Sequence, residues 1–285
     1  HGEGARAILQ IHHGGRMCPS ALVPGQPVSA SCEPAERPGA DRPRAMTEDE
    51  IHETIRCFAD ATRRAIAAGY DGVEIHGANT YLLQQFFSPH SNRRGDGWGG
   101  TAMQRMRFPL AVADAVLDAA TGAPRPFAVG YRISPEEVEQ PGITLDDTLQ
   151  LVDALAERPL DFLHVSVRSY LAGSMRDDND LERPTRRIIE RLDGRLPVIG
   201  VGLVYNPEDA MFMLEDGCAA VALGRILLME PAWVEKVQAG NATEIRAVLP
   251  RQDGAEKRTL PEPLYLMLRK RTGWLPVEEE EETRT

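Results

Sequence analysis

His76, Asn79 and Tyr81 fall within six residues of one another in a 285-residue chain. The surrounding stretch, Gly69 to Gly100, reads GYDGVEIHGANTYLLQQFFSPHSNRRGDGWGG. His and Asn side chains can both donate hydrogen bonds, and a phenol with a reference pKa of about 10 keeps its proton at neutral pH. Two donors beside a proton source suit a carbonyl that gains negative charge during a reaction. The same residue types would also be found in a buried His capping a strand and a Tyr packing in a loop, so both readings stand at this point.

An element must hold these side chains. The apolar run Gly72-Val73-Glu74-Ile75 ends on His76 and predicts a strand that delivers polar groups at its C-terminal end. In α/β barrels the loops after the strands form the reactive face. Further strands are expected over 5–11, running into His12-His13-Gly14-Gly15-Arg16, and over 125–134, carrying Arg132 near its end. Three more are expected over 161–166, 196–202 and 217–225. Between them, Thr47 and Glu50 form a capping box for a helix with Ile51, Ile55, Phe58, Thr62 and Ile66 on one stripe, closed by Gly69. Other helices are expected over 101–120, bent at Pro109, and from Thr144, Asn206-Pro207 and Pro231.

Some of these positions have a chemical reading of their own. Adjacent strand residues point to opposite faces, so His12 and His13 would not chelate a metal together, and no metal is expected. His164 reads as a structural barrel residue. An Arg within the apolar run at Arg132 is costly unless it is paired or lies at the strand mouth, and an ion pair with a barrel carboxylate is one way to hold it. Gly202 and Gly224 each end a strand, and Arg225 follows the second. Amides without side chains approach phosphates closely, and barrels often hold a phosphate between their last two strand loops. The glycines alone could also be plain turns.

The stretch from the strand end through the Tyr81-Leu82-Leu83 helix start to Ser88-Pro89-His90-Ser91-Asn92-Arg93-Arg94 closely resembles the signature of the Old Yellow Enzyme family, FMN-dependent NAD(P)H oxidoreductases on a (β/α)8 TIM barrel. That resemblance implies that NAD(P)H reduces FMN, and that hydride then passes to the activated C=C bond of an α,β-unsaturated carbonyl or nitro compound. It implies that His76 and Asn79 hold the substrate oxygen and that Tyr81 gives the proton. It further places Gln10 at the flavin edge, Arg132 beside the ring, and Gly202, Gly224 and Arg225 at the FMN phosphate, with Val201 also cofactor-binding. Aligned by these motifs the chain begins just before the third strand. The expected fold is therefore an α/β barrel incomplete at its N-terminus, with strands 3 to 8 present. Residues 1–250 would form the FMN-binding domain, and 251–285 a C-terminal extension whose Glu278–Glu282 tail is expected to be disordered. Two rival readings are flavin-dependent amine oxidation or N-demethylation, and a non-catalytic barrel subunit that binds a phosphorylated ligand.

Bulk properties narrow the field. Hydrophobic content of 42% and charged content of 26% are ordinary for a soluble globular chain. A net charge of -11 argues against a nucleic-acid surface. Cys18, Cys32, Cys57 and Cys218 stand far apart, with no Cys-x-x-Cys pair for zinc or an iron-sulfur cluster. Larger members of the family carry a cysteine cluster, so the resemblance is to its single-domain type. No apolar run reaches the roughly 18 residues of a membrane helix, and a cytoplasmic location is the default. The expected partners are a small-molecule substrate and further copies of the chain, or a chain supplying the missing strands, with neither nucleic acid nor membrane. Residues 17–46 read as a lid-like loop, and 168–187 as a polar segment with no assigned role.

Overall fold

Short apolar runs separated by helices can only lie side by side as a parallel sheet, because each helix carries the chain back to the end from which the next strand starts. The computed structural model describes residues 1–249, 260–271 and 273–278. Strand β1 (Ile8–Ile11) opens the main sheet, while β2 (Val28–Ser29) and β3 (Arg44–Ala45) pair only with each other. That small ladder lies within 17–46, the stretch that reads as a lid-like loop. The sheet continues with β4 (Gly72–Gly77), β5 (Ala128–Ile133), β6 (Phe162–Val165), β7 (Val198–Val201) and β8 (Ala220–Ala222). All six strands are parallel, in the order β1-β4-β5-β6-β7-β8.

The predicted capping box starts α1 (Glu48–Ala67): Glu50 N donates to Thr47 Oγ1 at 3.2 Å, and Thr47 N to Glu50 Oε2 at 2.9 Å. Gly69, at φ 87°, turns the chain out of the helix. The expected helix over 101–120 is two, α3 (Ala102–Arg105) and α4 (Arg107–Ala120), which follow the wholly buried α2 (Leu82–Phe87). Pro109 has no N–H for the Arg105 carbonyl four residues back, and the break falls there. The chain continues through α5 (Leu145–Ala156), α6 (Pro184–Leu192), α7 (Pro207–Glu215), α8 (Arg225–Met229), α9 (Trp233–Gln238) and α10 (Glu262–Lys270). Pro231 does not open α9, whose N-cap is Ala232.

Alternation along the strands divides the sheet into two faces. Val73, Ile75, Val129, Tyr131, Ile133, Leu163, Val165 and Val198 are buried against the helices, in a core shared with Phe86, Phe108 and Val112. The alternate residues, Gln10, Glu74, His76, Arg132 and His164, lie on the other face, where Ile8, Gln10 and Ala220 are exposed. A second cluster joins Tyr170, Met213, Ile226 and Met229 to Tyr265, Leu268 and Leu275. The described part of the C-terminal extension is thus packed against the end of the sheet. Of the acidic tail, residues 279–282 lie outside the described residues. No helix among the described residues is long and apolar enough to cross a membrane.

Candidate active site

Strand β4 ends in a strained turn. Asn79 and Thr80 have φ of 56° and 62°, a region Asn tolerates and a β-branched residue resists. Side chains hold the turn in place: Thr80 N donates to Gln84 Oε1 at 2.9 Å, and Gln85 Nε2 donates to the Thr80 carbonyl at 2.6 Å. Tyr81 then becomes the N-cap residue of α2, and its ring is brought back over β4. Its centroid lies 4.9 Å from that of His76, edge to face, and 5.1 Å from that of His12.

The same turn fixes the proton on His76. The Ala78 N–H donates to His76 Nδ1 at 3.2 Å, which makes Nδ1 the acceptor and leaves the proton on Nε2. Burial pushes the His76 pKa down to about 4, and the neighbouring Arg132 charge adds to the effect. His76 is therefore a neutral imidazole with one N–H to offer at neutral pH.

Asn79 is oriented by a relay from the next two strands. Arg132 Nη2 donates to Ser166 Oγ at 3.0 Å, and Ser166 Oγ donates to Asn79 Oδ1 at 3.0 Å. The Asn79 backbone N–H is taken by Ser134 Oγ at 2.9 Å. With Oδ1 accepting, the amide NH2 of Asn79 is the end left to donate. Arg132 itself has no carboxylate within ion-pair distance among the described residues, so the ion-pair reading does not describe it. Its Nε is buried and without a partner, and burial lowers its pKa, opposed by Glu74.

Gln10 joins a third group on this face. Its amide donates to Glu74, whose other oxygen contacts His164 Nδ1 at 2.7 Å. Burial alone would raise the Glu74 pKa, but the His164 and Gln10 contacts outweigh it and hold the carboxyl below its usual range.

A cavity of about 860 Å³ opens at the C-terminal ends of β5 to β8. Asn79, Arg132, Val201, Gly202, Gly224 and Arg225 all line it. Gln10, His76 and Tyr81 do not line it, although His76 is the register partner of Arg132 across β4 and β5. Gly202 has φ 137°, and a Cβ there would stand 2.4 Å from the Tyr170 backbone nitrogen. At Gly224 nothing lies within 4 Å of where a Cβ would be, so the backbone is open to a ligand. Arg225 stacks over Trp274, with its Cζ 5.4 Å from the ring centroid, and has no carboxylate partner among the described residues.

Sequence reasoning missed Ser134, Ser166, Glu74 and the placement of His12. Ser134, Ser166 and His12 directly follow strands β5, β6 and β1, and Glu74 lies within β4; their roles depend on neighbours across the sheet. In the sequence, His12 suggests only a metal ligand beside His13.

Open glycine backbone, guanidinium groups without carboxylate partners and a cavity of this size suit a phosphorylated, anionic cofactor. A parallel α/β sheet with such a site at its strand ends defines an enzyme of the α/β-barrel kind. The chain belongs to the NADH:flavin oxidoreductase / NADH oxidase family, whose profile matches residues 1–244. It is 44% identical over 275 residues to a probable NADH-dependent flavin oxidoreductase, YqiG, of Bacillus subtilis (strain 168), covering 96% of this chain and 73% of that protein. It is 46% identical over 271 residues to an NADH:fumarate oxidoreductase of Klebsiella pneumoniae (strain 342), covering 92% of this chain and 29% of that protein. Among solved structures it resembles an Old Yellow Enzyme homologue from Zymomonas mobilis, with a TM-score of 0.70 and 25% identity over 84% of this chain and 68% of that one. The chain is thus an oxidoreductase chain of the Old Yellow Enzyme family, working with a flavin, FMN, and NAD(P)H. Its sheet corresponds to a curved six-stranded part of such barrels.

Proposed function

We propose that this chain reduces the activated C=C bond of a small α,β-unsaturated carbonyl or nitro compound, and that its strands take positions 3 to 8 of a (β/α)8 barrel. Residues 1–250 would form the FMN domain, acting in the cytoplasm as a homo-oligomer or with a chain that completes the barrel. When bound, FMN supplies the two-electron relay between NAD(P)H and the alkene. Gly202, Gly224 and Arg225, with Val201 beside them, would hold its phosphate; Arg132 would set a positive charge next to its ring, and Gln10 would meet the ring edge.

His76 Nε2–H and the Asn79 amide would donate to the substrate oxygen and so make the β-carbon electrophilic. Tyr81 would deliver a proton to the α-carbon. The observation that carries this reading is the double orientation just described: Ala78 N–H fixes His76 as a donor, and the Arg132–Ser166 relay fixes Asn79 as one. Two donors beside a phenol serve a carbonyl or nitro oxygen, and an amine substrate offers no such acceptor.

A steady-state screen tests it. With FMN present, NADH consumption is expected with 2-cyclohexenone or a nitroalkene and not with methylated amines. Turnover of amines with none of the alkenes would assign the site to the reverse, oxidative chemistry.

A further inference from the structure

Three arginines line the cavity, Arg132, Arg168 and Arg225, and none has a carboxylate partner among the described residues. The chain does not lack acids, with 43 Asp and Glu against 32 Lys and Arg. In the segment that follows, Arg183, Arg186, Arg187, Arg191 and Arg195 all sit in ion pairs. Arginines bonded only to carbonyl or amide oxygens occur elsewhere, as at Arg107 and Arg176, but here three without a carboxylate partner meet in one cavity.

The carboxylates of the same cavity are mostly engaged elsewhere. Glu136 accepts from Ser174 Oγ at 2.9 Å and from Met175 N at 3.0 Å. Glu137 accepts from Gln84 Nε2 at 2.8 Å and from Ser88 Oγ at 2.6 Å. Glu139 also lines the cavity, beyond ion-pair reach of Arg168.

Two of the arginines have a use under the proposed function, on which this step rests: FMN carries one phosphate, for Arg225, and one ring, for Arg132. Arg168 is left over. It makes no hydrogen bond or ion pair among the described residues, yet its backbone is held on both sides. Ser166 is locked into the Asn79 relay, and the buried Tyr170 donates from its N–H to the Gly202 carbonyl at 3.3 Å and from its hydroxyl to Asp216 at 2.7 Å. A free guanidinium on an anchored backbone at a cavity wall is poised for a ligand.

We propose that Arg168 recognises an anionic oxygen group, carboxylate or phosphate, on the second ligand to enter the cavity. Two molecules could bring that group: an unsaturated substrate bearing a carboxylate, or the nicotinamide dinucleotide with its phosphates. Because Arg168 is exposed, the contact weakens as ionic strength rises.

Equilibrium titration of the FMN-loaded full chain at low salt tests this, with the flavin absorption band as the reporter. The probes are tetrahydroNADH, which binds without transferring hydride, acrylate, and its neutral counterpart methyl acrylate. In Arg168→Ala the Kd of one anionic probe is expected to rise about tenfold or more, and to recover in Arg168→Lys. A fall in the affinity of acrylate relative to methyl acrylate names the substrate carboxylate; weakened tetrahydroNADH names the dinucleotide. Both anionic probes binding Arg168→Ala within about twofold of wild type would overturn the assignment, as would loss of flavin from that variant alone, which would give Arg168 to FMN instead. A wild-type chain that retains no flavin contradicts the proposed function itself, so the two failures are distinguishable.

Discussion

Tyr81→Phe is expected to slow reoxidation of the reduced protein by an activated alkene by about a hundredfold or more, while bleaching by NADH stays within about twofold of wild type. General acid catalysis by a positioned side chain typically contributes about 10²- to 10⁴-fold, and the substitution removes one proton donor. It removes little else. The Tyr81 ring is held by edge contacts with His76 and His12, which phenylalanine keeps, and its hydroxyl makes no hydrogen bond to the protein among the described residues. The two neighbouring donors remain as well, since His76 is fixed by Ala78 and Asn79 by Ser166. Anaerobic stopped-flow absorbance separates the half-reactions. Equal loss in both would show that Tyr81 supports flavin or nicotinamide binding instead of protonation.

Arg132→Met is expected to lower the midpoint potential of bound FMN by tens of millivolts without lowering the melting temperature of the apoprotein. A unit charge a few ångströms from a group that gains electrons favours its reduced form by a few kcal/mol at an effective dielectric of about 20, and roughly 30 mV of a two-electron couple corresponds to about 1.4 kcal/mol. The stability side follows from the orphaned Nε. A buried polar atom without a partner costs about 1–3 kcal/mol, and methionine of similar length has no such atom. Against this, the substitution leaves Ser166 without its Arg132 donor and Glu74 without a nearby cation, although Glu74 keeps His164 and Gln10. The opposite directions make the experiment informative. An unchanged potential would remove Arg132 from the flavin environment, and a steep fall in melting temperature would make it a structural residue. Dye-linked potentiometry and thermal melts supply the two readings.

The fold was legible wherever local signals sufficed. Thr47 with Glu50, Thr144 ahead of α5 and Asn206-Pro207 ahead of α7 are capping patterns complete within four residues, and each starts a helix. All six predicted strands occur, a residue or more shorter than expected at most ends. Helix α6 was not legible. Its sequence, PTRRIIERL, has only Pro184, Thr185, Ile188 and Leu192 buried, with Arg191 held by an ion pair to Asp153 of α5 and Arg186 by one to Asp216 after α7.

The site divides in the same way. His76, Asn79 and Tyr81 share one short stretch, and the resemblance it carries could be seen without coordinates. The relay that orients Asn79 could not, because Arg132 and Ser166 are 34 residues apart and Ser166 and Asn79 are 87 apart. Serine at a strand end carries no signal until its neighbours across the sheet are known. The Gln10–Glu74–His164 group was hidden for the same reason: it joins three strands, and His164 alone reads as packing.

The central claim is that these residues form a flavin site that accepts electrons from a reduced nicotinamide. The most direct measurement is a visible absorption spectrum of the purified chain, incubated with FMN and desalted, taken before and after anaerobic addition of NADH and of NADPH. The expected result is a retained flavin band that bleaches with at least one of the two. A chain that carries no band after desalting, or a band that neither nucleotide bleaches, would contradict the claim.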